Sequence, residues 1–298
     1  MQSSYHIPVL LNEALLYLDV KAGALYVDCT LGGGGHTKGI LERKARVIAI
    51  DQDDEALENA RQEQKDAINQ RNLILEKGNF AHLQTIVSNL GFQKVSGVLF
   101  DLGVSSHQLD ADYRGFSFNK NATLDMRMDR DLGVTAKDLI NAASANDLAD
   151  IFWKFGEERE SYKIARAIVG LRKVAPIETT DQLAGIISKV SRRGKGDRTH
   201  PATRVFQALR IAVNSELESL EEALPQAVDI LEPGGRLVVI TFHSLEDRIV
   251  KSFLQKMGED KKLSILTKHV VKSGNEEVDL NPRARSGKLR AAIKLSSK

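Results

Sequence analysis

The chain has 298 residues, of which 42% are hydrophobic and 28% charged, and its formal net charge is +2. That length builds one large domain or two modest ones with a proper core, and the near-neutral balance excludes a polycation. A single cysteine, Cys29, excludes an intrachain disulfide and a cysteine-cluster zinc site, and six prolines with no low-complexity run argue against a disordered or fibrous chain.

In chain order, Pro8 opens a short helix predicted through Leu18. Asn12 and Glu13 interrupt its apolar residues, so neither a secretory signal nor a membrane span is expected there. A reducing, cytoplasmic setting is expected. Strands and helices then alternate. Strands are predicted over 24–29, 46–50, 72–75 and 95–100, with Asp28, Asp51 and Asp101 at or just past the ends of the first, second and fourth. Helices are predicted over 36–43, 53–69 and 81–90. Such alternation implies a parallel sheet covered on both faces.

The alternation stops after Asp101. Helical patterns follow over 136–142, 145–155, 161–174 and 180–190, with Thr135, Ser144 and Thr179 as caps near three of the starts. A further helix over 201–222 leads back toward the sheet. Strands resume at 236–241, after the turn Pro233-Gly234-Gly235, and continue at 263–267 and 289–295. The fold class is therefore α/β, a doubly wound sheet with an inserted all-helical module. The expected segments are 1–106 for the first part of the sheet domain, 107–212 for the insertion and 213–298 for the second part.

Gly32 to Gly35, followed by His36, lie between the first strand and the first helix. Glycine allows close backbone approach, and the helix start beyond it favours an anion. Ligands of open α/β sheets bind at the carboxyl ends of the strands, where Asp51 is placed to grip ribose hydroxyls and Asp101 lies beside the same crevice. The pattern points to an adenosine-containing cofactor. The phosphate-loop pattern G-x-x-x-x-G-K-[ST] is absent, and G-x-G-x-x-G fails because Thr37 takes the last glycine position. S-adenosyl-L-methionine, which has no phosphate, fits the acid and the loop amides.

Six strings then become specific: Asp101-Leu102-Gly103-Val104-Ser105-Ser106, Arg114-Gly115-Phe116-Ser117-Phe118, Leu124-Asp125-Met126-Arg127-Met128-Asp129, His200-Pro201-Ala202-Thr203-Arg204, Phe242-His243-Ser244-Leu245-Glu246-Asp247-Arg248 and Asn281-Pro282-Arg283-Ala284-Arg285-Ser286. Together they closely resemble the bacterial ribosomal RNA cytosine-N4 methyltransferases of the RsmH or MraW family, over about residues 6–295. The resemblance implies a class I S-adenosylmethionine-dependent methyltransferase with a Rossmann-like sheet and a helical insertion. It implies a cytidine of 16S ribosomal RNA, in the decoding region near the P site of the small subunit, as substrate. It also implies that Gly34, Gly35, His36, Asp51, Phe80, Asp101 and Gln108 contact the cofactor. Residues 119–123 and 156–162 depart from the family's usual pattern, which touches turn geometry and RNA contacts but not the cofactor loop.

The N4 amine of cytosine is a poor nucleophile because its lone pair is delocalised into the ring. Acceptors that hold its hydrogens localise that pair, and Asp101, or the carbonyls of 102–105, are the candidates; Asp101 is expected to orient the amine, directly or through the cofactor, rather than act as a strong base. Attack at C5 needs a cysteine nucleophile, and Cys29 reads instead as a small buried residue. The Asp/Asn-Pro-Pro-aromatic tetrad of many amino-methyltransferases is missing, so Phe116 or Phe118 is either a base-stacking replacement or a local core plug. His243 and Ser244 read as a substrate-pocket contact, as a turn capped by Ser244, or both. Arg192, Arg193 and Arg204 fall in a basic segment, 192–210, and a second one spans 283–294. Each segment reads either as a phosphate-binding face or as ordinary solvated surface. Asp125, Arg127 and Asp129 read as an internal ion network in preference to a substrate contact. No G-x-S-x-G elbow and no H-E-x-x-H spacing is present, so neither a hydrolase triad nor a catalytic metal is supported. Transfer to DNA amines and a non-catalytic RNA-binding assembly factor are the competing readings.

Overall fold

The computed structural model describes residues 8–191 and 200–296. The chain forms two compact units, one from residues 1–106 with 217–298 and one from residues 107–216. The sequence placed the second boundary at 212/213. Among the described residues, no helix is long and apolar enough to cross a membrane.

The first unit is built on strands β1 (Leu25–Asp28), β2 (Arg46–Asp51), β3 (Leu73–Lys77), β4 (Val95–Asp101), β5 (Leu231–Thr241), β6 (Leu263–Ile265), β7 (Val271–Lys272) and β8 (Lys288–Lys294). They form one sheet in the order β3-β2-β1-β4-β5-β8-β6, with β7 also paired to β8. β1 to β5 are parallel, whereas β8 runs antiparallel to both β5 and β6. The apolar strand runs supply both faces. Val27, Ile48, Ile50, Val98 and Phe100 bury on one side, while Tyr26, Val47, Ala49, Leu99 and Val238 bury on the other. A sheet covered on both faces needs such runs in place of strict alternation. The order reverses between β1 and β4, and that switch point is where ligands of open α/β sheets bind.

The second unit packs helices Ala136–Ala142, Ala145–Gly156, Ser161–Leu171, Thr180–Val190 and Ala202–Asn214 around Ile140, Leu148, Phe152, Ile164, Ile168, Leu183, Ile187, Val205 and Leu209. Thr135, Ser144 and Thr179 each form a full capping box with the residue three positions on. Each is worth about 1 kcal/mol. Gly156 closes its helix against the helix carrying Arg204, and a methyl group there would stand 2.5 Å from the Arg204 carbonyl oxygen. Gly156→Ala is therefore expected to destabilise this unit by about 3 kcal/mol or more, read as a lowered urea midpoint. An unchanged midpoint would show that the helices can separate without penalty.

Several elements differ from expectation. The helix predicted from Pro8 begins at Leu11, because Leu10 adopts a left-handed conformation with φ 54°. The predicted helix 53–69 breaks at Gln64 into Asp54–Glu63 and Lys65–Asn69. The predicted 201–222 breaks at Ser215, with φ 48°, into Ala202–Asn214 and Glu216–Ile230. The predicted turn at Pro233 survives as an irregularity inside an 11-residue β5, where pairing with β4 jumps from Leu231 to Arg236. Phe206 and Leu209 are core as expected, whereas Val213 on the same face is only half-buried.

Candidate active site at the carboxyl ends of the strands

Asp28, Asp51 and Asp101 end β1, β2 and β4. Asp51 is wired into the glycine loop. Its Oδ2 accepts the Gly32 N–H at 2.8 Å and its Oδ1 accepts the Asp53 N–H at 2.9 Å. A carboxylate has about four acceptor positions, so two remain for a ligand. Burial raises the pKa of Asp51 to about 6, against the lowering effect of those two N–H groups. The loop turns through Gly34, with φ 75°, where the Gln64 side chain donates to the Gly34 carbonyl at 3.3 Å. Gln64 is also where the predicted helix breaks, and no local signal in the sequence announces its contribution to the loop.

Asp28 is fully buried and accepts from the Thr37 hydroxyl at 2.7 Å and the Thr30 N–H at 3.2 Å. The Thr30 hydroxyl in turn accepts the Asp101 N–H at 2.6 Å. Asp101 Oδ2 lies 3.4 Å from His36 Nδ1, while Asp101 Oδ1 is buried with no hydrogen-bond partner among the described residues. A buried acceptor left unpaired costs roughly 1–3 kcal/mol, so a group of this kind marks where a ligand's donor belongs. Burial holds the Asp101 pKa well above the ordinary carboxylate range, and the negative charges of Asp28 and Glu246 push it the same way. Phe80 forms the turn after β3, half-buried and edge-on to Phe100 at 5.6 Å. Gln108 is buried in the short helix Ser106–Asp110.

After β5, His243 and not Ser244 caps the helix Ser244–Glu259, a correction to the expected cap. The Glu246 carboxylate reaches back to accept the N–H groups of Phe242 and His243 at 2.8 and 3.2 Å, which fixes the turn beside the strand end. Glu246 is 2% exposed, so its role goes beyond favouring the helix dipole. Cys29 is buried and its thiol pKa is held well above normal by that burial, which suits an inert packing residue.

The basic and aromatic candidates sort differently. Arg192 and Arg193 lie outside the described residues. Arg204 is exposed. Arg210 makes a bidentate pair with Glu216 at 2.8 Å for each bond. In β8, Arg290 pairs with Asp247 at 2.8 Å, and the Lys294 ammonium donates to the carbonyls of Val228 and Leu231. Those charges hold the sheet unit together. Phe116 is buried, while Phe118 is half-buried and stacks on His200 at 4.6 Å within the helical unit. Arg127 is bidentate to Asp125 and also donates to the Leu132 carbonyl, the internal network expected of this loop.

The sheet order, with an antiparallel strand between β5 and β6, a glycine loop after β1 and acids ending β2 and β4, defines a class I S-adenosylmethionine-dependent methyltransferase. The MraW methylase family model matches residues 3–295, and the chain belongs to that family. A relative from Carboxydothermus hydrogenoformans, named ribosomal RNA small subunit methyltransferase H, is 47% identical over 98% of this chain and 98% of its own. Proteins of the same name from Brevibacillus brevis and Thermomicrobium roseum are 45% and 47% identical, covering 98% and 99% of this chain and 99% and 95% of theirs.

Proposed function

We propose that the protein transfers a methyl group from S-adenosylmethionine to the N4 amine of a cytidine in 16S ribosomal RNA, in the decoding region of the small ribosomal subunit, in the cytoplasm. Relatives named for the small-subunit ribosomal RNA support the RNA class. The unpaired, buried Asp101 Oδ1 is the observation that carries the choice of an amine, because it is an acceptor waiting for an N–H donor. When bound, the cofactor supplies a sulfonium-activated methyl group. Asp51 would hold its ribose hydroxyls, Gly34, whose own N–H is donated to the Leu31 carbonyl, would turn the loop against it, the amides of Gly35 and His36 would meet its amino-acid end, and Phe80, Asp101 and Gln108 would complete the contacts. Asp101 Oδ1 accepts an N4 hydrogen, which turns the nitrogen lone pair toward the methyl group and offsets the positive charge that develops. Arg192, Arg193 and Arg204 meet RNA phosphates, and His243 and Ser244 line the base's approach.

The test is incubation with labelled cofactor and small subunits that lack the modification. Label in N4-methylcytidine, undiminished by competing duplex DNA, is expected; no label there would sink the assignment. Gly34→Ala, which puts a side chain at a left-handed φ, is expected to weaken cofactor binding about five- to tenfold with little change in the second unit. Calorimetry reads it, and undiminished affinity would remove the loop from the binding site.

A further inference from the structure

His36 sits in the first turn of the helix Gly35–Glu42 and is 4% exposed. Its Nε2 lies 3.1 Å from the Val9 carbonyl oxygen. A carbonyl can only accept, so Nε2 carries a hydrogen. In a neutral ring the Nδ1 lone pair then faces Asp101 Oδ2, 3.4 Å away. A lone pair set against a carboxylate in a dry site repels, and one proton between them turns the contact into an attraction.

We propose that His36 and Asp101 share one proton in the resting protein and that the pair takes up the proton released by the amine during methyl transfer. His36 is a positioning residue in this scheme, acting through Asp101. The inference rests on the amine acceptor proposed above. In the step, the bond between sulfur and methyl breaks, the bond between N4 and methyl forms, and the positive charge passes from sulfur to N4. Asp101 Oδ1 takes the N4 proton. The pair, which held one proton and no net charge, now holds two protons and a charge of +1, and loss of one to water resets it. The site's net charge is unchanged through the transfer, which matters because separating charge at low dielectric is costly. Among the described residues, the other charged groups acting on Asp101 are Asp28 from the end of β1 and Glu246 from the helix after β5. Both are acidic and favour the protonated pair.

The test follows the His36 ring nitrogens and the Asp101 carboxyl carbon by NMR against pH in the cofactor-free protein. Both signals are expected to move through the same transitions, and His36→Gln is expected to displace the Asp101 transition by about one pH unit or more. Independent transitions, indifferent to the partner's substitution, would overturn the proposal. The wild-type titration decides alone if His36→Gln fails to fold. In single-turnover methylation at saturating cofactor, His36→Gln is expected to slow transfer about tenfold and to give a rate that rises with pH. A loss confined to Kd, or an unaltered pH profile, overturns the proton role. If the wild type methylates no amine, the proposed function fails, while the coupled titration is judged separately.

Discussion

Asp101→Asn is expected to slow methyl transfer about a hundredfold at saturating cofactor while raising the melting temperature of the cofactor-free protein. Asparagine keeps a carbonyl to orient an amine, but it cannot offset a developing positive charge or take a proton, and such contributions are worth about 10²-fold or more. The stability gain follows from the raised pKa. An acid whose pKa rises on folding binds its proton more tightly in the folded state, so its contribution to stability is present at low pH and is lost as pH rises through the folded value. Burial and the charges of Asp28 and Glu246 raise Asp101 well above its ordinary 3.8. The melting difference between Asp101→Asn and wild type should therefore widen as pH rises, at roughly 2 °C for each kcal/mol in a chain of this size. A variant that melts lower at every pH would mean the carboxylate is a structural member, and full activity would remove it from the chemistry.

The second large effect is expected at Asp51. Asp51→Ala removes the carboxylate that would grip the ribose and frees the Gly32 and Asp53 N–H groups that it accepts. A loss of about 10²-fold in cofactor affinity is expected, in line with a charged hydrogen-bond acceptor taken from a partly buried site. The wild type should also show a pH signature. Its carboxylate titrates at about 6, so the ionised acceptor is present above that value and is lost below it. Affinity measured by calorimetry is expected to be flat above about pH 7 and to fall toward tenfold per pH unit below 6. Stability of the cofactor-free protein responds in the opposite sense, since this group's share declines as pH rises from its ordinary 3.8 to about 6. Affinity independent of pH between 5 and 7 would dismiss Asp51 as the acceptor.

The acids of this site were readable because each ends an apolar run: Tyr26-Val27 before Asp28, Val47 to Ile50 before Asp51 and Val98 to Phe100 before Asp101. Hydrophobic burial writes strands into the sequence, and topology delivers their ends to one place. Thr135, Ser144 and Thr179 were readable for a similar reason, since capping is local chemistry over three residues. Long-range partners were not. Gln64 serves a carbonyl 30 positions away. Glu246 stands in the first turn of a helix, where any acid suits the dipole, and only the folded chain shows it buried and binding the turn behind it. The cations of β8 read either as a phosphate-binding face or as solvated surface, and the partners of Arg290 and Lys294, 43 and 66 residues distant, could not be read locally. The orphaned oxygen of Asp101 is a property of its surroundings and has no signature in sequence.

The placement of β8 has a consequence for how the molecule is made. The last strand among the described residues, β8, is an inner strand, lying between β5 and β6 and also holding β7. During synthesis from the amino end, the flank of β5 therefore stays unpaired until residues 288–294 emerge, and β6 has no neighbour to join. β4 likewise awaits β5 while the entire helical unit is translated. An open strand edge invites pairing with other chains, and domains tend to fold as units while translation proceeds. Ribosome-stalled chains ending before Lys288 should thus carry a folded helical unit and an unfinished, aggregation-prone sheet, and the sheet should become protease-resistant only once residues 288–294 are free to pair.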